Sequence, residues 1–520
     1  MAGEVALPRP EEIHRRKLAE ARAHPGGAIP SNVAWFESLP VAERDRLAGA
    51  VRRKPTRTLS GVAVVAVMTA PARCPHGRCT YCPGGVEDAS PQSYTGQEPS
   101  ALRGAQFGYD ARAITTHRLE TLEAIGHPTS KVEVIVMGGT FPARPSRYRE
   151  EVFRGIFDGL NGTPSTSLAE AQQANESAAR RCVSLTVETR PDWCDGRILP
   201  ELLDAGVTRV EVGVECLEEG VLEAVGRAHG VEPVIIAARE ARDRGLKLCF
   251  HMMLGLPGMT PERDLAGFRR LFEDPSFRPD MLKIYPTLVL PGTALHEEWA
   301  AGRYAPYDEA TAAHLLSEIK AQVPPWVRIQ RIQRDIPARL IAAGVRAGNI
   351  REWALRELAR SGRSCRCLRC REVGRRASPP PEALVATESR YQAAGGSELF
   401  LAWEDPVTDS IAAFLRLRFP SARTLGGLDA PVIRELKVLG PEVPIGVASP
   451  SEGRYQHLGL GRELLERAEA RARSAGFDRL FVTSAVGTRA YYRRHGFVPA
   501  GAHMAKRLFA GRNPTPSPAG

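Results

Sequence analysis

From Gly61 onward the chain alternates short apolar, β-branched runs with longer segments of helical apolar spacing. The runs are VAVVAV (62–67), VEVIVMGG (132–139), CVSLTVET (182–189), VTRVEVGVE (207–215), LKLCFHMM (246–253) and MLKIYPT (281–287). Helical stretches fall between them at 112–125, 148–159, 196–205, 218–228, 232–244 and 261–273. Buried strands spaced by helices of this length predict βα units around a parallel sheet. Six such units predict a partial or complete TIM-type βα barrel, with its working face at the C-terminal strand ends.

The alternation stops near 290. A helix is predicted over 308–323, followed by an Arg-rich stretch to 376 and the linker SPPPE (378–382). Beyond it, ELFLAWED, SIAAFLRLRF and APVIRELKVLG read as antiparallel-type strands, and 459–474 reads as a helix. DRLFVTS, a short helix at 487–494, FVPAG and AHMAKRLF complete an α+β unit. Ahead of the barrel, 11–23 and 33–53 read as helical segments broken by PGGAIPSN. The expected division is therefore a basic N-terminal helical segment (1–58), a barrel (59–325), an Arg-rich linker (326–382), an α+β domain (383–510) and a disordered tail (511–520).

Composition narrows the class. With 43% hydrophobic and 25% charged residues, wholesale disorder is excluded. No run of 18 apolar residues exists, so no membrane span is expected. The opening MAGEVALPRPEE has no apolar core of a secretory signal. Six of the ten cysteines fall in two tight triplets, a metal pattern of a reducing compartment, and the cytoplasm is the expected location. The net charge of +10 is dilute over 520 residues, but residues 351–376 hold nine Arg against three Glu. Arg52, Arg53, Lys54 and Arg57 form a second knot with no acid among them. Such clustering points to nucleic acid, with Arg52, Arg53, Lys54, Arg366, Arg369 and Arg371 as candidate phosphate contacts. The plainer reading of a charge run is a solvated face.

The first triplet is Cys74, Cys79 and Cys82 in RCPHGRCTYCPGG, just after the first strand. Three thiolates so close can hold an iron–sulfur cluster and leave one iron open for a small molecule, the arrangement of radical S-adenosylmethionine chemistry. A zinc knuckle completed by His76 is the alternative. Gly138 and Gly139 follow the second strand, and Glu188, Arg190 and Glu215 end later ones, all aimed at the same mouth as candidate contacts to S-adenosylmethionine. Each alone also reads as a strand-end group satisfied locally. The second triplet, Cys365, Cys367 and Cys370, lies among arginines, where a structural zinc is the economical reading; His14 and His314 are candidate fourth ligands, and unligated thiols the alternative. In the C-terminal unit, QHLGLGR (456–462) opens a helix after a strand, which offers backbone N–H groups to a pyrophosphate. This pattern reads as the acetyl-CoA loop of the GNAT acyltransferase fold, with Tyr491 and Tyr492 either near a thioester or in the core.

Together, RRKPTRTLSGVAVVAVM, RCPHGRCTYCPGG, SYTGQEP, KVEVIVMGGTF, VETRPDWC, FRPDMLKIYPTLV, PPWVRIQRIQRDIP, IRELKV and GTRAYYRRHGF resemble the family of the catalytic third subunit of Elongator and its stand-alone bacterial and archaeal relatives, over about 50–510. The resemblance implies a tRNA carboxymethyluridine synthase. S-adenosylmethionine would yield a 5′-deoxyadenosyl radical that takes hydrogen from the acetyl-CoA methyl, and the carbon radical would add to carbon 5 of the wobble uridine before thioester hydrolysis. It further implies that Cys74, Cys79 and Cys82 hold a 4Fe-4S cluster. Lys131, Glu435, Leu436, Lys437, Val438, Leu460, Gly461, Arg462 and Tyr492 would contact acetyl-CoA, with Lys131 and Tyr492 at the reacting end. An electron donor is implied and Elongator-type partner subunits are not; a homodimer stays open. Departures from the family are the short first interval of the cysteine triplet and Lys437, where members often carry His. The competing class is a protein lysine acetyltransferase with a structural cluster.

Overall fold

The computed structural model describes residues 58–421, 424–443 and 454–509, together with 12, 15–19, 35, 38–40 and 43. Of the N-terminal helical expectations, 15–19 are helical; most of 11–23 and 33–53, all of Arg52, Arg53 and Lys54, and the tail 511–520 lie outside the described residues. Among the described residues no helix is long and apolar enough to cross a membrane.

The first sheet has seven parallel strands in sequence order: β1 (Val62–Met68), β2 (Lys131–Met137), β3 (Arg181–Thr189), β4 (Arg209–Glu215), β5 (Lys247–Leu254), β6 (Met281–Pro286) and β7 (Arg328–Ile332). β1 and β7 do not pair, so the barrel is a half-barrel open along one side. Each strand buries one alternating set of residues against the surrounding helices, as Val132, Val134 and Val136 do on β2. Local chemistry sets the helix starts: the Asp110 side chain accepts from Ala113 N, and Thr260 caps a helix whose first residue is Pro261.

Residues 326–382, expected as a linker, instead contribute β7 and the helix Ile350–Arg360, and Cys365 and Cys367 pack into the half-barrel's own core. RIQRI is too short and too charged to read as a strand; only pairing with β6 at Met281–Ile284 makes it one.

The second sheet runs β13–β14–β12–β11–β10–β9–β8, from β8 (Val385–Ala393), β9 (Gly396–Asp405), β10 (Ser410–Phe419), β11 (Val432–Val438), β12 (Arg479–Val482), β13 (Val498–Ala500) and β14 (His503–Arg507). Its pairings are antiparallel except β11 with β12, which are parallel and paired only at Val432↔Phe481 and Ile433↔Val482. Past Ile433 these two strands part, and the gap faces the half-barrel. The helix Leu460–Ser474 packs across β9 to β11.

The two sheets are locked by buried ions. Arg434 Nη atoms lie 2.6 and 2.7 Å from Asp280 and 2.7 Å from Glu398; Arg242 joins both acids, and Arg418 joins Glu398 to Asp243. Burying charge is costly, and such a network holds only with its partners in place. It therefore fixes how the second sheet sits under the N-terminal ends of β4 to β6.

Candidate active sites at the two ends of one sheet

The loop after β1 is shaped by Gln92. Its carbonyl oxygen accepts from Cys74 N at 2.8 Å and its amide donates to Gly77 O at 2.8 Å, which holds the turn that carries the first triplet. Cys74, Cys79 and Cys82 line one cavity at the C-terminal mouth of the half-barrel. Cys74 Sγ lies 3.4 Å from Thr140 Oγ1, Cys82 Sγ 3.4 Å from Ser93 Oγ, and Cys79 Sγ 3.2 Å from His76 Nε2. Burial pushes the Cys82 thiol up to about 11 and, together with Arg190 and Arg227, pulls His76 down to about 4. Three convergent thiols beside the Arg227 guanidinium, which reaches within 3.9 Å of Cys79 Sγ, suit an anionic thiolate-bound cluster.

Gly139, Glu188, Arg190 and Glu215 line the same mouth. Gly138 does not. It holds φ +129°, where a Cβ would fall 2.2 Å from Thr69 Oγ1, a position that favours glycine. Glu188 accepts from Tyr94 OH at 2.9 Å and pairs with Lys283 at 3.4 Å. Arg190 is engaged by Asp192 and by the Arg227 carbonyl, which makes it part of the wall. Glu215 pairs with Arg227 at 3.3 Å and holds φ +70°, a conformation costly for a side-chain-bearing residue and kept here at the strand end where β4 meets the mouth.

Sequence reasoning missed Tyr94, His251, Lys283, Tyr285, Arg331 and Arg334, which also line this cavity. Arg334 lies 6.0 Å from the ring centroids of both Tyr94 and Tyr285. The signal for His251, Lys283 and Tyr285 was the polar residue at every second position inside strands that otherwise read as fully buried.

A second cavity, of about 580 Å³, opens at the opposite, N-terminal ends of the same strands. Lys131, the first residue of β2, meets Leu436, Lys437, Val438, Leu460, Gly461, Arg462 and Tyr492 there. Glu435 faces an adjoining recess with Glu133, Arg209 and Lys247. Lys437, Arg416 at 2.9 Å and Lys247 hold the Glu435 carboxyl down at about 2 against its burial, which also brings Lys247 down to about 8. Gly459, at φ +86°, frees the first turn of the helix Leu460–Ser474 toward the cavity. Tyr492 both lines the cavity and packs edge-on against Phe497. At Gly461 a Cβ would come within 3.1 Å of Tyr491 OH.

The Sγ atoms of Cys365, Cys367 and Cys370 lie within 4.8 Å of one another, close enough for one ion. The group facing them is Lys320, whose Nζ is 3.3 Å from Cys365 and 3.6 Å from Cys370. His314 instead pairs with Glu357 on the surface, and His14 lies outside the described residues. The phosphate-contact expectation is corrected at Arg371: it is 1% exposed, held by Glu404 at 3.1 Å and Asp409 at 2.9 Å, because it secures the chain between the sheets. Arg366 is exposed and pairs with Asp409 at 2.9 Å; Arg369 is half-buried, lowered to about 10 by burial and the neighbouring Arg351.

Comparison with known proteins gives the same two parts. Residues 69–268 match the Radical SAM superfamily, 279–360 the Radical_SAM C-terminal domain and 452–509 the Acetyltransferase (GNAT) domain. The chain is 44% identical over 92% of its length, and 90% of the relative's, to a tRNA uridine(34) acetyltransferase of Methanocaldococcus jannaschii. It belongs to the tRNA uridine(34) acetyltransferase and Elongator complex protein 3 family. The human Elongator complex protein 3 is 42% identical over 96% of this chain and 93% of its own. The archaeal Elp3 of Methanocaldococcus infernus with an N-terminal deletion superposes with a TM-score of 0.77 at 40% identity, covering 86% of this chain and all of that one.

Proposed function

We propose that this protein modifies the wobble uridine of tRNA, forming 5-carboxymethyluridine from acetyl-CoA by radical S-adenosylmethionine chemistry. One observation carries the reading: a single parallel sheet bears a three-thiol mouth at one end and a cavity with a glycine-opened helix start at the other. Relatives of nearly full length named for tRNA uridine(34) support the substrate.

Cys74, Cys79 and Cys82 would hold a 4Fe-4S cluster, which would supply one-electron chemistry toward S-adenosylmethionine with an external reductant. The residues of the mouth do the rest. Glu188 and Glu215 present carboxylates for an ammonium group, and Gly139 lets the chain pass close to the ligand. Tyr94, Tyr285 and Arg334 make an aromatic and guanidinium face on which an unstacked base can lie. Below the sheet, Lys131 and Arg462 bring positive charge to the helix start at Leu460, the chemistry of a pyrophosphate site. Tyr492 stands beside Glu435 and Lys437 as the group at the thioester. Arg366 and Arg369 are the phosphate contacts of the Arg-rich segment. A zinc ion on Cys365, Cys367 and Cys370 would take the place that the Lys320 ammonium holds against two of the sulfurs. The cytoplasm, where tRNA and reduced thiols coexist, suits this chemistry.

The test is acetyl-CoA labelled at its methyl carbon, incubated anaerobically with S-adenosylmethionine, reductant and tRNA. The label should appear as the CH2 on carbon 5 of the wobble uridine, only when reductant is present. Label on protein lysine amines with no need of reductant would overturn the reading in favour of a lysine acetyltransferase.

A further inference from the structure

The two cavities lie at opposite ends of the same strands. Lys131 opens β2 and Met137 closes it, seven residues in all. At ~3.3 Å per residue that is roughly 20 Å. Hydrogen transfer needs groups in contact, so a two-carbon donor held below the sheet meets nothing at the mouth unless its acyl end crosses the half-barrel.

A packed barrel forbids such a crossing, because its interior is filled by layers of branched apolar side chains. This interior is different. Glu133, on the lower recess, accepts from Arg209; Arg209 Nε faces Glu211 Oε1 at 3.3 Å. Glu211 Oε2 pairs with Lys283 and lies 3.0 Å from His251 Nε2. Arg209 lines the lower recess, while His251 and Lys283 line the mouth, so Glu211 stands between the two walls. At this level Arg209 Nε and Glu211 Oε1 have only their mutual ion pair and no hydrogen bond, and Thr186 Oγ1 is buried without any hydrogen-bond partner in the protein. A buried polar atom left unpaired costs about 1–3 kcal/mol. One orphaned hydroxyl beside buried ion pairs makes a poor core but a fitting wall for a flexible arm that carries amide N–H groups, amide carbonyls and a thioester carbonyl.

We propose that the half-barrel interior is the passage by which the acyl-bearing arm of coenzyme A crosses from the lower cavity to the thiol-lined mouth, with the Glu211–Lys283 ion pair as its internal gate. The proposal rests on the reading of acetyl-CoA as donor. When the gate opens, the arm supplies a hydrogen-bond partner for Thr186 Oγ1 and for the Arg209 and Glu211 atoms that have none, and when the arm withdraws, the ion pair closes the route to water.

Cys249 makes the passage testable. It is fully buried, pairs opposite Glu211 in the β4–β5 register, and its Sγ lies within 4.8 Å of the Glu211 and His251 ligand atoms. Bromoacetyl-CoA carries an electrophilic carbon in place of the acetyl methyl. Attack by the Cys249 sulfur on that carbon forms a thioether, expels bromide and releases the thiol proton. The anaerobic holoenzyme, with its cluster protecting the first triplet, is treated with bromoacetyl-CoA or with bromoacetamide, and Cys249 alkylation is read by peptide mass spectrometry. Delivery by a bound arm should make alkylation at least roughly tenfold faster than by bromoacetamide, since binding raises the local concentration. It should be suppressed by excess coenzyme A. Ser184, on the wall of the lower recess, gives the direction of entry: Ser184→Phe should block labelling while Ser184→Ala keeps it, with S-adenosylmethionine binding unchanged in both. Calorimetry with coenzyme A separates the two ways to fail. If coenzyme A does not bind, the donor reading fails and the proposal with it. If it binds but Cys249 stays unlabelled in the unsubstituted protein, or if folded Ser184→Phe is labelled at the full rate, the passage is wrong and the donor enters elsewhere.

Discussion

Replacing Arg434 with Met tests the ionic lock between the sheets. The guanidinium is fully buried and makes contacts of 2.6 and 2.7 Å to Asp280, 2.7 Å to Glu398 and 3.1 Å to the Leu246 carbonyl. Met fills a similar volume but leaves two buried carboxylates short of a partner. Asp280 keeps Arg242 at 3.3 Å and Arg416 at 3.6 Å, and Glu398 keeps Arg242 at 3.1 Å and Arg418 at 3.0 Å, so neither acid is stranded entirely. Breaking a buried pair costs about 3–5 kcal/mol, and the remaining arginines place this case toward the lower end. Urea unfolding followed by fluorescence reads the loss as a fall in midpoint. The pH dependence gives a second reading. Neighbouring arginines hold the Asp280 carboxyl far below its ordinary range, against burial. A depressed carboxyl stabilises the fold above its unfolded value of about 3.9, and that contribution is lost as pH falls toward the folded value. Without Arg434 the folded value rises, less of this stabilisation remains, and the acid-unfolding midpoint should move to higher pH. Arg434→Lys keeps the charge but loses the fork that spans both acids, and should fall between. A loss under about 1 kcal/mol with an unmoved acid midpoint would refute the lock.

Cys79→Ala should abolish the brown chromophore and S-adenosylmethionine cleavage while calorimetric coenzyme A binding persists, because the two cavities lie at opposite strand ends; loss of both would show that the ends are not independent. Gly138→Ala should destabilise by about 1–3 kcal/mol in thermal unfolding, from positive φ plus the contact with Thr69, and Thr69→Ala in the same chain should recover part of it. Arg366→Ala and Arg369→Ala should each flatten the log–log salt dependence of tRNA binding by about 0.7–0.9 per lost phosphate contact. Arg371→Ala should instead lower the unfolding midpoint, since its charge is already spent on Glu404 and Asp409.

Strand–helix alternation was legible in the sequence because each strand of the half-barrel buries an apolar set on its helix-facing side, and so were the cysteine triplets and the glycine-opened helix start, which are local. β7 was not legible: Arg328 and Arg331 mask a strand that exists only through its neighbour β6. β8, Val385–Ala393, was missed for a similar reason: its alternation of exposed and buried residues reads as irregular polar chain until β9 pairs with it along its whole length.

The half-barrel interior was present in the sequence as Glu133, Glu188, Arg209, Glu211, His251 and Lys283, each scattered inside an apolar run and each readable as a locally satisfied charge. Period two assigns every one of them to a face, but it does not say that the faces of five strands converge. That took the tertiary structure, because contact among residues on five different strands depends on strand order, register and curvature, which no local spacing encodes. The same limit applied to Arg371 and Lys320. Arg371 sat in what read as an exposed basic run and Lys320 in a predicted helix with no other cation beside it, whereas packing put one against two acids and the other against two sulfurs. Local chemistry told which groups the chain carries; only the fold decided which of them face a ligand and which neutralise each other, because burial and pairing are properties of the assembled core.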